Sequence, residues 1–183
     1  MKTMLAFAGC SAGMLVAAYL LFSVGERRDY AREGRLSIAS RVFGTALFFA
    51  WGGLPWIYGP ADWPRVAVAV PQAVCGWALL ALGVAVMVAS VAGLGVSRTL
   101  GVRQRALVAK GPYRLSRNPQ YVGCMLYAVG FALLWPSWYA LVWVLLAAAM
   151  VHMLVSTEEE HLSRLLRGDY ERYRREVPRY LGF

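Results

Sequence analysis

The chain has 183 residues, of which 59% are hydrophobic and 16% are charged, and its formal net charge is +9. Its mean hydropathy of +0.49 reflects too many apolar and too few charged residues for an ordinary soluble domain. The composition therefore excludes a typical soluble protein and indicates an integral membrane protein.

Five apolar segments follow one another along the chain, each close to the length that a helix needs to cross a bilayer. They cover roughly residues 3–24, 37–59, 66–96, 119–135 and 138–155. Helices are favoured over barrel strands because the apolar runs are continuous and do not alternate with polar residues. The predicted fold is an all-α integral membrane protein with about five transmembrane helices and a C-terminal amphipathic interfacial helix.

The first three predicted spans, in residues 1–97, are interpreted as a transmembrane scaffold. Gly9, Gly13 and other small residues of the first segment would let helices approach closely in lipid. The charged stretch from Gly25 to Arg41 is typical of a solvated interfacial loop. Aromatic residues of the second segment are interpreted as markers of the membrane interface: Phe43, Phe48, Phe49, Trp51, Trp56 and Tyr58.

The distribution of basic residues predicts the orientation. All of the 19 lysines and arginines except Lys2 and Arg65 fall in residues 27–41, 98–117 and 164–179. The positive-inside rule then places the N-terminus outside and the C-terminus and active site in the cytoplasm, as in a bacterial inner-membrane protein. Attraction to anionic lipid explains these charges, so no nucleic-acid partner is predicted.

Cysteines and a single Glu-x-x-His give no reason to predict a metal or a disulfide. Cys10, Cys75 and Cys124 lie inside apolar segments without paired spacing. The Glu-x-x-His sequence at Glu158 and His161 occurs once, whereas carboxylate-bridged metal bundles need two copies. No metal is therefore expected.

Two polar blocks flank the last apolar hairpin. The first is GPYRLSRNPQYVG, residues 111–123, and the second is EEEHLSRLLRGDYERYRREVPR, residues 158–179. The hairpin between them can cross the bilayer and return, so both blocks are expected at the same membrane face. Within the second block, apolar residues recur at helical spacing between arginines, which predicts the amphipathic interfacial helix. These residues are Leu162, Leu165, Leu166, Tyr173 and Val177.

The first block has the features of a helix start that could bind a charged ligand. Pro119 suits the first helical turn, and Asn118 is a favoured cap before it. Tyr113 and Tyr121 could attract a cation to their ring faces by about 0.5–2 kcal/mol. Glu158 lies where membrane meets cytosol, which is costly for an acid unless it is paired or functional. A capped helix with interfacial tyrosines is the alternative interpretation, and the second block favours a binding site.

The two blocks together resemble the isoprenylcysteine carboxyl methyltransferase and phospholipid methyltransferase superfamily. The family pattern is GPY-R-x-x-R-[HN]-P-x-Y-x-G, a hydrophobic hairpin, then E-E-x-x-L and Y-x-x-Y-x-x-x-V-P-R. The resemblance covers residues from about 98 to 179. The pattern is met by these residues: Gly111, Pro112, Tyr113, Arg117, Asn118, Pro119, Tyr121, Gly123, Glu158, Glu159, Leu162, Tyr170, Tyr173, Val177, Pro178 and Arg179.

This resemblance implies a membrane methyltransferase that moves the methyl group of S-adenosylmethionine to a lipophilic acceptor. Residues 98–183 would form the methyltransferase-like, cofactor-binding region, within one structural unit. The cofactor-binding residues that the resemblance implies are Arg105, Ala106, Leu107, Val108, Tyr113, Asn118, Pro119, Tyr121 and Glu158.

The acceptor is left open among an isoprenylcysteine-like carboxylate, a lipid amine and a small thiol. The isoprenylcysteine enzymes hold the substrate carboxylate with an arginine one turn before the first glutamate, and Leu154 stands there in this chain. A carboxylate acceptor is therefore disfavoured. Arg117 is expected to orient the polar end of acceptor or cofactor, and His152 or Glu159 to take a proton from an amine.

Two alternatives come from other functional classes. An NADPH-dependent membrane reductase would have a related C-terminal fold, although sterol reductases are much longer than this chain. A non-catalytic membrane scaffold is the other, and it would account for two departures from the family pattern, Leu154 and Arg167 in place of the usual glycine. The expected partners are the lipid bilayer and a lipophilic methyl acceptor.

Overall fold

The computed structural model of the protein describes residues 2–62, 67–95, 107 and 109–182. This part of the chain is helical and contains no strand, which confirms the all-α fold class. A π-helical stretch, Tyr19–Glu26, joins α1 to α2, and a 3-10 turn, Gly111–Arg114, precedes α5. The α-helices are α1 (Lys2–Ala18), α2 (Arg27–Glu33), α3 (Ile38–Asp62), α4 (Val70–Leu94), α5 (Pro119–Leu134), α6 (Trp138–Leu166) and α7 (Gly168–Glu176).

Each of the five predicted apolar segments contains a helix. Three helices among the described residues are long and apolar enough to cross a membrane: Met4–Glu33, Val70–Leu94 and Trp138–Leu166. The shorter apolar helix α5 packs along α4. The helices therefore support an integral membrane protein, while a count of five spans stays a prediction. The predicted boundary between residues 97 and 98 lies outside the described residues.

The charged stretch after the first segment is helical up to Glu33 and again from Ile38, so the predicted loop from Gly25 to Arg41 is wrong except for residues 34–37. The first helix continues to Glu33 and ends at Gly34, whose φ of 65° is readily adopted only by glycine. The following helix is held close by Asp29, which accepts hydrogen bonds from Ser37 N at 3.0 Å and Ser40 Oγ at 2.6 Å.

Burial explains why this charged stretch is helical. The Tyr30 ring is buried and stacks on His161 of α6, with ring centroids 3.9 Å apart. Arg27 also pairs with Glu160 of α6, at 3.0 Å between Nε and Oε2. A packed tyrosine and an ion pair to a neighbouring helix thus favour helix over loop, and neither contact is visible in the local sequence.

Helices α4 and α5 pack backbone to backbone through paired glycines. A Cβ atom on Gly83 would lie 2.5 Å from the Tyr127 nitrogen and 2.6 Å from the Gly123 carbonyl oxygen. Gly76 and Gly130 form a similar contact, because a Cβ on Gly130 would lie 2.7 Å from the Gly76 carbonyl oxygen. Small residues in this arrangement bring transmembrane helices into close van der Waals contact.

Gly9 and Gly13 of the first segment do not play the role expected of them, although Ser11 of the same segment is buried. A Cβ added to Gly9 or Gly13 would meet nothing within 4 Å. Close helix approach instead occurs at α4 and α5, because packing depends on which face meets a neighbour and not on the number of small residues in a helix.

We expect Gly83→Ala to destabilise the protein by about 1–3 kcal/mol, because the added methyl group would overlap the α5 backbone. Thermal unfolding of the detergent-purified protein measures this effect. Gly93→Ala is the matched control on the same helix, since a Cβ there meets nothing within 4 Å. Equal unfolding temperatures for the two variants would contradict the predicted backbone contact.

Two tryptophans tie α3 to α6. Trp51 Nε1 donates to the Trp143 carbonyl at 3.1 Å, and Trp143 Nε1 donates to the Trp51 carbonyl at 2.8 Å. The rings stack with centroids 4.4 Å apart, and both side chains are buried. The interpretation of Trp51 as a membrane-interface residue is therefore wrong, because this tryptophan satisfies its N–H inside the helix bundle.

Candidate active site

The first polar block begins with a short turn whose tyrosine is buried. Gly111 has a φ of 56°, and the 3-10 turn that follows buries Tyr113. Tyr173 of α7 donates its hydroxyl hydrogen to the Tyr113 carbonyl at 2.6 Å. Burial raises the pKa of Tyr173 to about 12, so this phenol stays neutral and remains a donor at physiological pH. The Tyr113 hydroxyl itself has no partner among the described residues.

Glu159 is the centre of a buried ionic network that joins the two polar blocks. Arg179 donates to Glu159 Oε2 from Nε at 3.0 Å and lies 2.9 Å from it through its terminal nitrogen. Asn118 Nδ2 donates to Glu159 Oε1 at 2.9 Å, and Arg117 Nε lies 3.5 Å from the same oxygen. The carboxylate is thus fully surrounded by donors, which is the arrangement that makes a buried charge tolerable.

The C-terminal segment after α7 lies against the start of α5. Arg117 N donates to the Pro178 carbonyl at 2.9 Å. The Arg179 carbonyl accepts from Ser116 Oγ at 3.1 Å and from Asn118 Nδ2 at 3.2 Å. The structure therefore brings the two polar blocks together at one end of the helical hairpin, as the hairpin length predicts.

The helix starts at Pro119 as expected, but Asn118 does not cap it through its side chain. The Asn118 carbonyl accepts from Tyr121 N at 3.1 Å and from Val122 N at 3.2 Å. Its side-chain amide instead donates to Glu159 and to Arg179. The predicted side-chain cap is therefore wrong, because the amide group serves the network between blocks.

The predicted amphipathic C-terminal helix is divided into two helices. Helix α6 continues to Leu166, and Arg167 then adopts a φ of 44° before α7 begins at Gly168. This break lies where the resembled family has a glycine, which adopts a positive φ at no steric cost. Helix α7 buries an apolar face against the rest of the site: Tyr170, Tyr173 and Val177 pack with Leu107, Leu162 and Leu166.

Next to this network, a cavity of about 370 Å³ opens between the N-terminal helices and the hairpin. Tyr121 donates its hydroxyl hydrogen to Glu158 Oε2 at 3.3 Å, and both residues line the cavity. Leu154, one turn before Glu158, also lines it. Most other lining residues are apolar, and they come from the π-helical stretch, α3, α4 and the link between α2 and α3: Phe22, Leu36, Phe48, Phe49, Met87 and Val91.

The structure does not bring every predicted site residue to this cavity. His152 is exposed on α6, and it lies six residues before Glu158, about 240° around the helix. Arg117 faces Glu159 and not the cavity. His161 stacks on Tyr30. The predicted cofactor residues Arg105, Ala106 and Val108 lie outside the described residues, whereas Leu107 packs against α7.

Five polar residues that line the cavity were not predicted from the sequence: Glu26, Ser40, Arg41, Thr45 and Gln120. Glu26 lies on the first helix, and Gln120 is the second residue of α5. Both line the cavity with Glu158. The position of Glu26 in the sequence does indicate a functional residue, because an acid at the end of a long apolar helix is costly and often functional. Gln120 carries no such signal.

A scan of protein-family models matches residues 71–168 to the phospholipid methyltransferase family. No curated protein and no solved structure matches the chain. The matched range covers more than half of the 183 residues and runs from α4 to the start of α7, so it includes Tyr121 and Glu158. This match agrees with the resemblance in the two polar blocks. The chain therefore belongs to the phospholipid methyltransferase family.

Proposed function

We propose that the protein transfers the methyl group of S-adenosylmethionine to the amine of a lipophilic acceptor. Family membership supports a membrane methyltransferase in general. The observation that carries the finer proposal is the meeting of Tyr121 and Glu158, one from each polar block, at the wall of a mostly apolar cavity. Such a cavity can exclude water while holding a cation next to a carboxylate.

The described residues around Glu158 fit the methyl donor. When bound, S-adenosylmethionine would supply an electrophilic methyl group on a sulfonium cation. The Glu158 carboxylate and the Tyr121 ring would attract positive charge, and the unpartnered hydroxyl of Tyr113 offers a hydrogen bond. We assign these three residues and Leu107 to the donor, together with the predicted Arg105, Ala106 and Val108.

The remaining predicted residues are assigned to positioning. Glu159 has both oxygens occupied by Arg179, Asn118 and Arg117, so we assign it to holding the C-terminal segment and not to proton transfer. Asn118 and Arg117 belong to the same network, and Pro119 starts the helix that presents Tyr121. We assign no role to His152, which is exposed on α6.

The packing of α3 supports entry of the acceptor from the bilayer. Helix α3 packs on α1, the π-helical stretch and α6, and makes no extensive contact with α4 in the described residues. Both α3 and α4 line the cavity, and Phe49 of α3, a lining residue, is 77% exposed. A lipid chain could therefore enter sideways past Phe49, while the orientation predicted from the basic residues would admit the donor from the cytoplasm.

Charge in the cavity favours an amine over a carboxylate acceptor. Glu26 and Glu158 both line the cavity and are close enough for electrostatic repulsion. They outnumber the one basic residue among the described lining residues, Arg41, whose Nε donates to the Ser37 carbonyl at 3.3 Å. A third carboxylate would be repelled, whereas an ammonium group would be attracted. The place of the arginine that would hold a carboxylate is taken by Leu154, whose side chain lines the same cavity.

Calorimetric titration of the detergent-purified protein tests the donor assignment. We expect S-adenosylmethionine and its demethylated product to bind, and NADPH not to bind. Incubation of membranes with radiolabelled donor, followed by lipid extraction, should then place label in an amine-bearing lipid. Binding of NADPH alone would favour the reductase alternative, and binding of no ligand would favour the scaffold alternative.

We expect Gly44→Leu to raise the KM for the lipid acceptor by about tenfold, which corresponds to roughly 1.4 kcal/mol. Gly44 lines the cavity, so a larger side chain would fill space that the acceptor needs. Steady-state kinetics with varied lipid measure the effect, and donor affinity should stay within twofold.

Gly44→Ala is the matched control. Its Cβ would lie 3.6 Å from the Phe22 ring and 3.7 Å from Glu26 Oε1, which are ordinary contact distances. This variant should keep a KM near that of the wild type. An unchanged KM in Gly44→Leu would remove the cavity from the acceptor path.

A further inference from the structure

Glu26 is a buried acid that lines the cavity and has no part in the donor site proposed above. Its side chain belongs to a residue that is only 2% exposed, and Oε2 has no hydrogen-bond partner among the described residues. Glu26 also lines the cavity together with Glu158 and Tyr121. A buried carboxyl oxygen without a hydrogen-bond partner is costly, and acids at membrane depth are often functional, so a cationic ligand is the partner we expect for Glu26.

The neighbouring acids are already engaged. Asp29 accepts hydrogen bonds from Ser37 and Ser40. Glu160 pairs with Arg27 and Arg164. Glu159 is surrounded by Arg179, Asn118 and Arg117. Glu26 thus differs from these three acids in keeping a buried oxygen without a partner.

Backbone geometry fixes Glu26 at the cavity wall. It is the last residue of the π-helical stretch Tyr19–Glu26, and π-helical turns occur often at functional sites. Thr157 Oγ1 of α6 donates to the Phe22 carbonyl at 2.9 Å and so anchors this stretch. Gly44 of α3 lies next to the carboxyl group, since a Cβ there would be 3.7 Å from Glu26 Oε1. The π-helical stretch and Gly44 lie outside the matched family range, residues 71–168, whereas Thr157 lies within it.

We propose that Glu26 binds the ammonium group of the acceptor and takes its proton. This role rests on the proposed function. One N–H bond of the ammonium breaks, the proton moves to the Glu26 carboxylate, and the electron pair stays on nitrogen. The amine becomes neutral and can accept a methyl group. The carboxylate is restored when its proton leaves to water after product release.

The alternative base in the cavity is Glu158, and its contacts make it less suited. Tyr121 already donates to Glu158 Oε2 at 3.3 Å, so this carboxyl group has a hydrogen-bond donor within the protein. Glu26 Oε2 receives no donor from the described residues. A cation between the two carboxylates would also relieve their mutual repulsion, so the ammonium form of the acceptor is the form that binds.

Comparison of the wild type with Glu26→Gln and Glu33→Gln tests the role of Glu26. Glu33 belongs to α2 and pairs with Arg35 at 3.5 Å on the exposed surface, so Glu33→Gln is the control for loss of one acidic charge. Four quantities are measured on the wild type and on each variant in detergent: kcat with the amine lipid, donor affinity, unfolding temperature, and binding of dodecyltrimethylammonium without donor.

We expect Glu26→Gln to lower kcat by about 100-fold or more, the usual contribution of a general base. Dodecyltrimethylammonium, a permanent cation with no transferable proton, should bind the wild type and bind Glu26→Gln at least about tenfold more weakly. Donor affinity should stay within twofold, and the unfolding temperature should not fall, because an unpartnered carboxyl group does not stabilise the fold. Glu33→Gln should match the wild type in all four.

Three outcomes would overturn the role of Glu26 and leave the proposed function intact. These are a kcat in Glu26→Gln within threefold of wild type, unweakened binding of the ammonium amphiphile, and a fall in unfolding temperature that accounts for the lost activity. Failure of the wild type itself to bind the donor would instead refute the proposed function. Binding of the amphiphile through Glu26 would in that case still support a cation site.

Discussion

Glu159→Ala is expected to lower the free energy of unfolding by about 3–5 kcal/mol. The substitution removes the carboxylate that compensates Arg117 and Arg179, and the side chain of Arg117 is only 9% exposed. It also removes an acceptor from Asn118 Nδ2. Denaturant or thermal unfolding of the detergent-purified protein measures the loss.

The C-terminal segment should respond first in this variant. Its contacts with the start of α5 run through Pro178 and Arg179, whose position depends on Glu159. We therefore expect trypsin to cleave the arginine-rich helix α7 faster than in the wild type, since local opening governs proteolysis.

Glu171→Ala is the control for loss of an ion pair on α7. Glu171 pairs with Arg174 on the exposed surface, at 3.2 Å, and such pairs contribute about 0–1 kcal/mol. Similar stability of Glu159→Ala and Glu171→Ala would show that the buried network does not hold the C-terminal segment.

Glu158→Gln is expected to weaken donor binding by at least about 30-fold, or roughly 2 kcal/mol. The amide keeps the size of the side chain but loses the negative charge that we assign to the sulfonium cofactor. Tyr121 can still donate to the amide oxygen, so the local packing should survive. Calorimetric titration with S-adenosylmethionine and its demethylated product measures the change.

Titration with the demethylated product tests which part of the cofactor the Glu158 carboxylate contacts. It has a neutral thioether in place of the sulfonium, so the loss of affinity in Glu158→Gln should be smaller for the product than for the donor if the carboxylate faces the sulfonium. Equal losses would place the carboxylate at the amino-acid or ribose part of the cofactor. Donor affinity within threefold of wild type would exclude Glu158 from the donor site.

Substitutions of the two adjacent glutamates are thus expected to affect different properties of the protein. Successive residues of a helix lie about 100° apart, so Glu158 faces the cavity while Glu159 faces the C-terminal segment. Glu159→Ala should lose stability first, whereas Glu158→Gln should lose donor affinity while keeping the wild-type unfolding temperature. Both losses in both variants would mean that the cavity and the network form one unit.

Much of the site was predictable because its signals are local. Pro119 and the apolar run after it predict a helix start, and the helix does begin there. The length of the apolar hairpin predicts that residues 111–123 and 158–179 meet, and Asn118 does contact Glu159 at 2.9 Å. The fold class and the family follow from composition and from spacing within these two blocks.

The sequence by itself determined the helices, their membrane character and the meeting of the two polar blocks, because these depend on hydropathy, helix length and local backbone preference. Only the tertiary structure decided which side chains face one another: the Trp51 and Trp143 pair, the Gly83 and Gly123 contact, and Glu26 beside Glu158. These contacts join residues that are far apart in the chain, and no local pattern encodes which helix faces meet.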